Sequence, residues 1–479
     1  MALAPDVTEP VPAVRPAPPR APNGRGFGPL LLRLHFYAGI LVAPFILVAA
    51  MTGLLYTLTP TLDKIIYSDE LVVAAPGGAA LPVAQQVAAA RAAHPEGTLT
   101  SVRLGESDAT TQVDFTSPEL SAESELVHTV YVDPYTAKVT GRLTTWWTST
   151  PLTTWLDRFH RDLQLGKTGE LYSEFAASWL WVIALGGVFL WWRRLRGNRT
   201  ARRLLAPDLA AKKGVRRTRG WHAATGIWLT LGLLILSATG LTWSGYAGAN
   251  FSAALDALQG NRPYVATDLT ASSGGHHGGP SSGTGEGADP AAVDAVVAGA
   301  RGAGLDGPLQ ISVPADEASA WTVSQNDNLW PVRLDSVAVD ATGAVTDRVD
   351  FADWPLPAKL TSWGVQAHMG ILFGLVNQLL LASLAIGLIC VIIWGYRMWW
   401  QRRPTRADRS ALVGTAPARG AWQQLPAWGI AVGVPVVFAI AWALPLLGIP
   451  LIAFLLIDLA IGAVRKRGNQ PDVPVSPAP

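Results

Sequence analysis

The stretch LHFYAG at residues 34–39 opens the first long apolar segment of the chain, and its pattern occurs a second time. In both places a histidine is followed four residues later by a glycine and seventeen residues later by a Thr-Gly pair. The matching positions are His35, Gly39 and Thr52-Gly53 in the first copy, and His222, Gly226 and Thr239-Gly240 in the second. The apolar part of the chain is therefore an internal duplication that places two histidines at equivalent positions.

A second histidine also occurs at an equivalent position later in each copy. Each of them precedes a glycine and then a tryptophan pair at equal steps: His160, Gly166 and Trp191-Trp192 in the first copy, and His368, Gly374 and Trp399-Trp400 in the second. Ionisable side chains at or near bilayer depth are costly and usually mark a functional site. These four histidines are therefore the first candidates for chemistry.

Composition predicts an α-helical integral membrane protein. Hydrophobic residues make up 49% of the 479 positions and charged residues only 15%, and the apolar residues fall in blocks close to the roughly 20 residues that a membrane-spanning helix needs. Six spans are predicted, at about Leu34–Leu58, Glu174–Trp192, Trp221–Tyr246, Leu375–Trp399, Ala427–Leu444 and Leu447–Val464. An even number of spans puts both termini on the same side of the membrane.

The distribution of charge predicts which side that is. The segment Arg193–Gly220 carries eleven Arg and Lys residues against one acid, and the segment after Arg397 is again Arg-rich. Basic loops are typical of the cytoplasmic side, while the acidic loops at about 60–170 and 247–362 are expected outside. Topology and anionic lipid explain the basic runs better than nucleic acid does. The only cysteine, Cys390, lies in a predicted span, which excludes an intrachain disulfide and an iron–sulfur cluster.

The two acidic loops repeat one another as well. Each begins with a helical pattern, at 82–93 and 290–300, and continues into a strand, at 99–104 and 309–313. Each then reaches a hairpin turn centred on an aspartate, Asp133 in the first copy and Asp340 in the second. Each loop is therefore predicted to be a small external α+β domain. A Gly/Ser segment at 272–287 contains His276-His277 and is interpreted as a flexible tether, with incidental metal contact as the alternative.

These patterns divide the chain into eleven segments. They are a disordered cytoplasmic tail (1–28), span 1 (29–60), external domain 1 (61–170), span 2 (171–193), a basic cytoplasmic loop (194–220), span 3 (221–246), external domain 2 with its linker (247–366), span 4 (367–400), a cytoplasmic loop (401–426), spans 5 and 6 (427–464) and a cytoplasmic tail (465–479).

The LHFYAG stretch, the Thr-Gly pairs and the two Asp-centred hairpins resemble the PepSY-associated transmembrane family, whose members are often called iron-regulated membrane proteins. The resemblance covers about residues 30–400, and the two spans after Pro426 depart from it. Members of this family include bacterial inner-membrane ferric-siderophore reductases that hold b-type haem between transmembrane histidines. The resemblance therefore implies a protein of the inner membrane that binds haem b and reduces an external ferric complex, and the two histidine pairs of this sequence provide for two haems.

The histidines supply candidate axial ligands for both haems. His35 and His222 begin their spans on the cytoplasmic side, and Gly39 and Gly226, one turn deeper, would let a flat macrocycle lie close to the backbone. His160 and His368 precede their spans on the external side, where they would hold the second haem. The alternatives are interfacial histidines that reach the lipid headgroups and, for the outer pair, surface histidines on a polar helix.

The resulting expectation is a transmembrane electron path from a cytoplasmic or quinol donor to an external ferric siderophore. The donor is expected to be separate because the sequence has no glycine motif for a built-in NAD(P)H site. It also has no Walker loop and no HExxH motif, which argues against ATP-driven transport and zinc proteolysis. Two other functions remain open at the level of sequence. One is a non-enzymatic module whose external domains bind a peptide, protease or envelope partner, and the other is a permease for iron or haem.

Overall fold

The computed structural model describes residues 27–73, 77–106, 108–121, 125–196, 205–207, 213–270, 289–327, 332–402, 417 and 425–468. The predicted tail up to residue 26, the linker at 272–287 and much of both cytoplasmic loops lie outside these ranges. The described residues form a helical bundle with an antiparallel sheet at one end. We call the two ends of the bundle the sheet end and the Arg-rich end.

The bundle contains helices long and apolar enough to cross a membrane. Four of them pass by length and hydropathy, and a bent pair makes up to five. In chain order the bundle helices are α1 (Gly28–Leu41), α2 (Ala43–Tyr56), α7 (Lys167–Arg196), α8 (Val215–Leu241), α12 (Leu375–Gln401), α13 (Ala427–Ala443) and α14 (Pro445–Gly468). The predicted fifth span corresponds to α13, which has 17 residues and is shorter than the helices that pass.

The first predicted span is broken in two. Helices α1 and α2 meet at an angle of 57°, and α2 carries Pro44 in its first turn. Proline has no backbone N–H and its ring clashes with the preceding turn, so a helix that reaches it ends or bends. The second copy has Leu231 at the equivalent position, and there α8 runs without a break.

The predicted second and third spans have different bounds in the structure. Helix α7 begins at Lys167, so Glu174 lies one to two turns inside it rather than at its start. The carboxylate of Glu174 accepts hydrogen bonds from the backbone N–H groups of Tyr246 and Ala247, at the start of helix α9 (Tyr246–Ala257). This satisfied, buried carboxylate explains why an acidic residue does not mark the membrane boundary here.

The two loops between spans join in one sheet. Its eight strands are β1 (Thr98–Leu104), β2 (Thr111–Thr116), β3 (Leu126–Val132), β4 (Val139–Trp146), β5 (Leu309–Ser312), β6 (Trp321–Gln325), β7 (Ser336–Val339) and β8 (Val345–Val349). Their order is β4-β3-β2-β1-β5-β6-β7-β8. The first strand of each copy therefore pairs with its equivalent at the centre, antiparallel, with Val102 opposite Ile311.

One hydrophobic core includes residues from both halves of the sheet. Helices α5 (Val83–Ala93) and α10 (Val293–Gly302) contribute Val87 and Val296, which pack with Val102 and Ile311 in the same buried cluster. The side chain of Asp294 in the second copy accepts a hydrogen bond of 2.6 Å from the backbone N–H of Val83 in the first. The two predicted external domains thus share their core.

The hairpin turns follow the sequence prediction. Between β3 and β4, Asp133 accepts a hydrogen bond of 2.8 Å from the backbone N–H of Tyr135. Between β7 and β8, Asp340 accepts bonds of 2.9 Å from the N–H groups of Thr342 and Ala344. Each aspartate closes its own turn, as its sequence context predicts.

Short helices connect the sheet to the bundle at equivalent places in the two copies. In the first copy α3 (Thr59–Ile66) and α4 (Ser68–Leu71) follow the first span, and α6 (Pro151–Asp162) leads into α7. In the second copy α11 (Leu356–His368) leads into α12. Helices α6 and α11 carry His160 and His368, so these two histidines stand at the sheet end of the bundle.

The last helix, α14, packs against helix α7 of the first copy. Arg33 of α1 and Asp458 of α14 form a bidentate ion pair. One Nη donates to one carboxylate oxygen at 2.6 Å, and the second Nη donates to the other oxygen. Their side chains are 3% and 4% exposed. Near the sheet end, the indole N–H of Trp179 donates to the backbone carbonyl of Leu446. Polar contacts therefore fix α14 near both ends of the bundle.

Candidate functional site

The inner histidine pair, His35 and His222, meets inside the Arg-rich half of the bundle. His35 belongs to α1 and His222 to α8, so the pair takes one residue from each copy. The centroids of the two imidazole rings are 6.4 Å apart and the ring planes are inclined by 78°. The structure thus brings together the two histidines that the sequence places at equivalent positions.

Each inner ring is held through Nδ1 by a backbone carbonyl of a neighbouring helix. Nδ1 of His35 lies 2.9 Å from the carbonyl oxygen of Ile183 in α7, and Nδ1 of His222 lies 2.9 Å from that of Val391 in α12. Because a carbonyl oxygen only accepts, Nδ1 must carry the proton in both rings. In the neutral imidazole Nε2 then keeps its lone pair, which is the form that binds a metal.

The outer histidine pair repeats this arrangement at the sheet end. His160 of α6 and His368 of α11 have ring centroids 6.3 Å apart, with planes inclined by 42°. Again each copy contributes one residue. The predicted outer pair is therefore also assembled by the fold.

The outer rings are held by threonine hydroxyls. Nδ1 of His160 lies 2.9 Å from Oγ1 of Thr52, and Nδ1 of His368 lies 3.0 Å from Oγ1 of Thr239. Both hydroxyls also donate to backbone carbonyls of their own helices, to Val48 at 2.9 Å and to Ile235 at 2.9 Å. A hydroxyl that donates its single proton to the carbonyl of its own helix accepts from the histidine, and in that arrangement Nδ1 is again the protonated nitrogen.

Low polarity around the outer pair favours uncharged rings. Removal from water lowers the pKa of His160 to about 4, with a further contribution from the nearby His368. Removal from water also lowers the pKa of His368. Removal from water thus favours the neutral imidazole in both rings, which is the protonation state that metal coordination requires.

Glycines stand where the outer rings approach the spans. A methyl group in place of the hydrogen of Gly53 would lie 3.0 Å from Cε1 of His160, and one at Gly240 would lie 3.2 Å from Cε1 of His368. The Thr-Gly pairs thus have a double role, in which the threonine holds the ring and the glycine gives it room.

The inner rings also lie against glycines, with more space. A methyl group at Gly187 would lie 3.4 Å from Cε1 of His35, and one at Gly395 would lie 3.6 Å from Cε1 of His222. At Gly39 and Gly226 the added group would meet nothing within 4 Å. The space beside these two glycines, which the sequence suggested as clearance for a flat ligand, is therefore open.

The spacing of each pair fits two imidazoles on one metal atom. With metal–nitrogen bonds of about 2 Å on opposite sides of the metal, two ring centroids stand about 6 Å apart. A bare metal ion in a protein commonly has three or more protein ligands, and no group of three or more His, Cys, Asp or Glu side chains suited to a metal occurs among the described residues. Two imidazoles alone suit a metal whose remaining ligands come with it, as in haem.

The two pairs lie far apart along the bundle. His222 and Thr239, which mark the inner and outer pairs on the unbroken helix α8, are seventeen residues apart. At 1.5 Å per residue this step corresponds to roughly 25 Å. This separation is close to the thickness of about 30 Å of the hydrocarbon layer of a bilayer.

Comparison with known families agrees with this architecture. The PepSY-associated TM region family matches residues 32–402. The chain belongs to this family. No curated protein matches it. The family match spans all four histidines and ends before α13 and α14, so this member of the PepSY-associated family adds its last two helices to the shared part.

Sequence reasoning missed two kinds of functional contact in this PepSY-associated member. The carbonyl groups of Ile183 and Val391 hold the inner rings, and a backbone carbonyl leaves no signature in the residue type. The hydroxyls of Thr52 and Thr239 hold the outer rings, and here the signal was present. Each threonine lies seventeen residues after the inner histidine of its copy, His35 or His222, and this equal spacing identified both threonines as repeated positions. It did not identify them as hydrogen-bond partners of the outer histidines.

Proposed function

We propose that this protein is a membrane haem protein that passes electrons across the bilayer to reduce an external ferric complex, with a ferric siderophore as its substrate class. The observation that supports it best is the matched geometry of the two histidine pairs, 6.4 and 6.3 Å between ring centroids with Nδ1 hydrogen-bonded in all four rings. Histidines whose only role is to reach the lipid headgroups would need neither the matched ring spacing nor the Nδ1 hydrogen bonds.

The chain's own residues define the two sites. His35 and His222 would hold one b-type haem and His160 and His368 the other. Haem iron bound by two imidazoles supplies one-electron transfer without an open position for oxygen. The four Nδ1 hydrogen bonds fix the orientation and tautomer of the rings, which raises the basicity of Nε2. Glycines beside the rings keep the sites clear of side chains.

The direction of electron flow follows from the orientation we propose for the chain in the cell membrane. Its Arg-rich loops and both termini face the cytoplasm, and the sheet lies outside. Electrons then enter at the inner pair from a separate cytoplasmic or quinol donor and leave at the outer pair. Reduction releases the metal because siderophore oxygens are hard ligands that hold Fe(III) far better than Fe(II).

Vesicles test this proposal directly. The protein is reconstituted into liposomes that contain a ferric siderophore and an Fe(II)-specific chelator, and dithionite is added outside. We expect the coloured Fe(II) chelate to form inside vesicles with the wild-type protein. His35→Ala and His160→Ala should each reduce the rate to that of protein-free vesicles, because removal of either pair interrupts a serial path.

A matched control uses a histidine outside both pairs. His128 lies on β3, and its ring nitrogens contact Glu119 and Thr144 of the sheet region. His128→Ala should leave the rate unchanged. If His35→Ala and His160→Ala kept the wild-type rate, the proposal would be wrong, and a non-enzymatic module or a permease, neither of which needs the four histidines for electron transfer, would explain the chain better.

A further inference from the structure

A cationic pocket of about 480 Å³ opens at the Arg-rich end of the bundle, between the start of α8 and the end of α12. Lys213, just before the first of these helices, and Arg217, within it, line the pocket together with Arg397 of the second helix. No aspartate or glutamate lines the pocket, and these three side chains form no ion pair with any residue in the described ranges. Three cations around one cavity, with no acidic partner among the described residues, favour an anionic ligand.

The start of α8 adds further hydrogen-bond donors to this pocket. Gly214, which lines the pocket, precedes the first residue of the helix with φ of 122°, and no side chain caps the helix there. The first backbone N–H groups of a helix have no partner within it and carry partial positive charge. Together with the three cations, they form the kind of donor set that binds phosphate.

Two indole rings form an aromatic wall of the same pocket. Trp221 and Trp394 have ring centroids 5.7 Å apart and planes inclined by 42°. Their positions also connect the pocket to the inner histidine pair, since Trp221 directly precedes His222 and Trp394 directly precedes Gly395, which lies against the His222 ring. The pocket therefore lies at the turn of α8 that also carries His222.

We propose that this pocket binds the phosphate group of an organic phosphate ester, with the organic part against the two indole rings. Its volume lies in the range of about 300–1,000 Å³ that is usual for small-molecule sites, whereas inorganic phosphate alone would leave most of it unfilled. Two sources have this chemistry: a soluble mononucleotide and the headgroup of an anionic phospholipid. The site is formed by side chains outside the histidine pairs, so the inference does not depend on haem binding.

The test uses the purified full-length protein in nanodiscs of phosphatidylcholine, with flavin mononucleotide as a fluorescent probe. We expect saturable binding by fluorescence anisotropy, with competition by inorganic phosphate. Arg217→Ala with Arg397→Ala should weaken binding by roughly tenfold for each cation removed. The exchange of both arginines for lysine should retain most of the binding, which separates lost charge from lost folding. Arg91→Ala, at an exposed position on α5, is the control that should bind as the wild type does.

Nanodiscs that also contain phosphatidylglycerol distinguish the two sources. If the lipid is the occupant, it should displace the flavin nucleotide, and native mass spectrometry should find it retained by the wild type and lost from the double alanine variant. If a soluble nucleotide is the occupant, the nucleotide should bind equally well in both kinds of disc. The proposal is overturned if none of flavin mononucleotide, phosphate and phosphatidylglycerol shows binding that is weakened by Arg217→Ala with Arg397→Ala.

Discussion

The two histidine pairs reach nearly the same ring spacing with different supports. The inner rings of His35 and His222 are held by backbone carbonyls of α7 and α12, whereas the outer rings of His160 and His368 are held by the hydroxyls of Thr52 and Thr239. A backbone carbonyl survives every side-chain substitution, and a hydroxyl does not. The outer site is therefore more open than the inner site to adjustment through its supporting side chains, and the backbone groups of Ala49 and Leu236 are its substitution-proof contacts.

The pairs also differ in where they are carried and how tightly they are packed. The inner histidines belong to the bundle helices α1 and α8, and the outer ones belong to the short helices α6 and α11. The outer rings also lie closer to their neighbouring glycines than the inner rings do. Small changes in packing should therefore disturb the outer site more than the inner one.

The largest expected effect is the loss of a ligand. Purified His35→Ala or His222→Ala protein should lack the inner haem and retain the outer one, and His160→Ala or His368→Ala protein should show the reverse. A haem-to-protein ratio near half the wild-type value in each variant is the measurement. The account of two separate sites fails if one inner substitution removes all haem from an otherwise folded protein.

A second substitution contrasts buried and exposed ion pairs at the two ends of the bundle. Asp458→Leu leaves the Arg33 guanidinium buried without its carboxylate, which should lower the free energy of unfolding by about 3–5 kcal/mol. Glu170→Ala at the sheet end removes the partner of Lys167, whose side chain is 94% exposed, and should cost less than about 1 kcal/mol. Thermal unfolding in detergent compares the two.

The double variant Arg33→Leu with Asp458→Leu is the control for this comparison. Since removal of both charges leaves no unpaired group, its stability should return to near the wild-type value. Equal and large losses in the single and double variants would show that packing rather than charge holds α14 in place.

Removal of the threonine hydroxyls tests the difference in supports. Thr52→Val or Thr239→Val deprives an outer histidine of its hydrogen-bond acceptor, and the loss of such a partner typically weakens metal binding by about 10–100-fold. Thr52→Ser keeps the hydroxyl and should retain haem. Haem titration of the stripped protein should show weaker binding at one site only, and weakening at both sites would contradict the assignment of the threonines to the outer pair.

The smallest expected effect concerns the glycines. Gly53→Ala would bring a methyl group to 3.0 Å from the His160 ring, so the ring must move by a few tenths of an ångström, whereas Gly395→Ala makes an ordinary contact at 3.6 Å with the His222 ring. We expect Gly53→Ala to shift the midpoint potential of the outer haem measurably. Gly395→Ala should change the midpoint potential of the inner haem little. Equal shifts of the two midpoint potentials would contradict the proposed difference in packing between the outer and inner sites.

The sequence predicted the parts of this molecule that the duplication repeats. Equal steps in two copies identified His35 with His222 and His160 with His368 as pairs, and the turn residues located the hairpins at Asp133 and Asp340. Both predictions depend on residue type and spacing alone. This explains why the histidine pairs and the hairpin turns of the structure agree with them.

The remaining features depend on tertiary contacts that residue type does not encode. The pairing of β1 with β5 joins two separately predicted domains, because an unpaired edge strand in each copy finds its equivalent. Glu174 appeared to mark a membrane boundary, yet its carboxylate is satisfied inside the bundle by backbone N–H groups at the start of α9. The bend at Pro44 was readable in principle, since proline interrupts a helix wherever it occurs.

The most direct test of the central claim is the absorption spectrum of the purified wild-type protein, expressed with adequate haem supply, in its air-oxidised and dithionite-reduced forms. We predict the bands of low-spin, six-coordinate b-type haem in both forms and two haems per chain by haem quantification. Protein that is folded and free of haem, or that shows a high-spin five-coordinate spectrum, would contradict the assignment of the two histidine pairs as axial ligands.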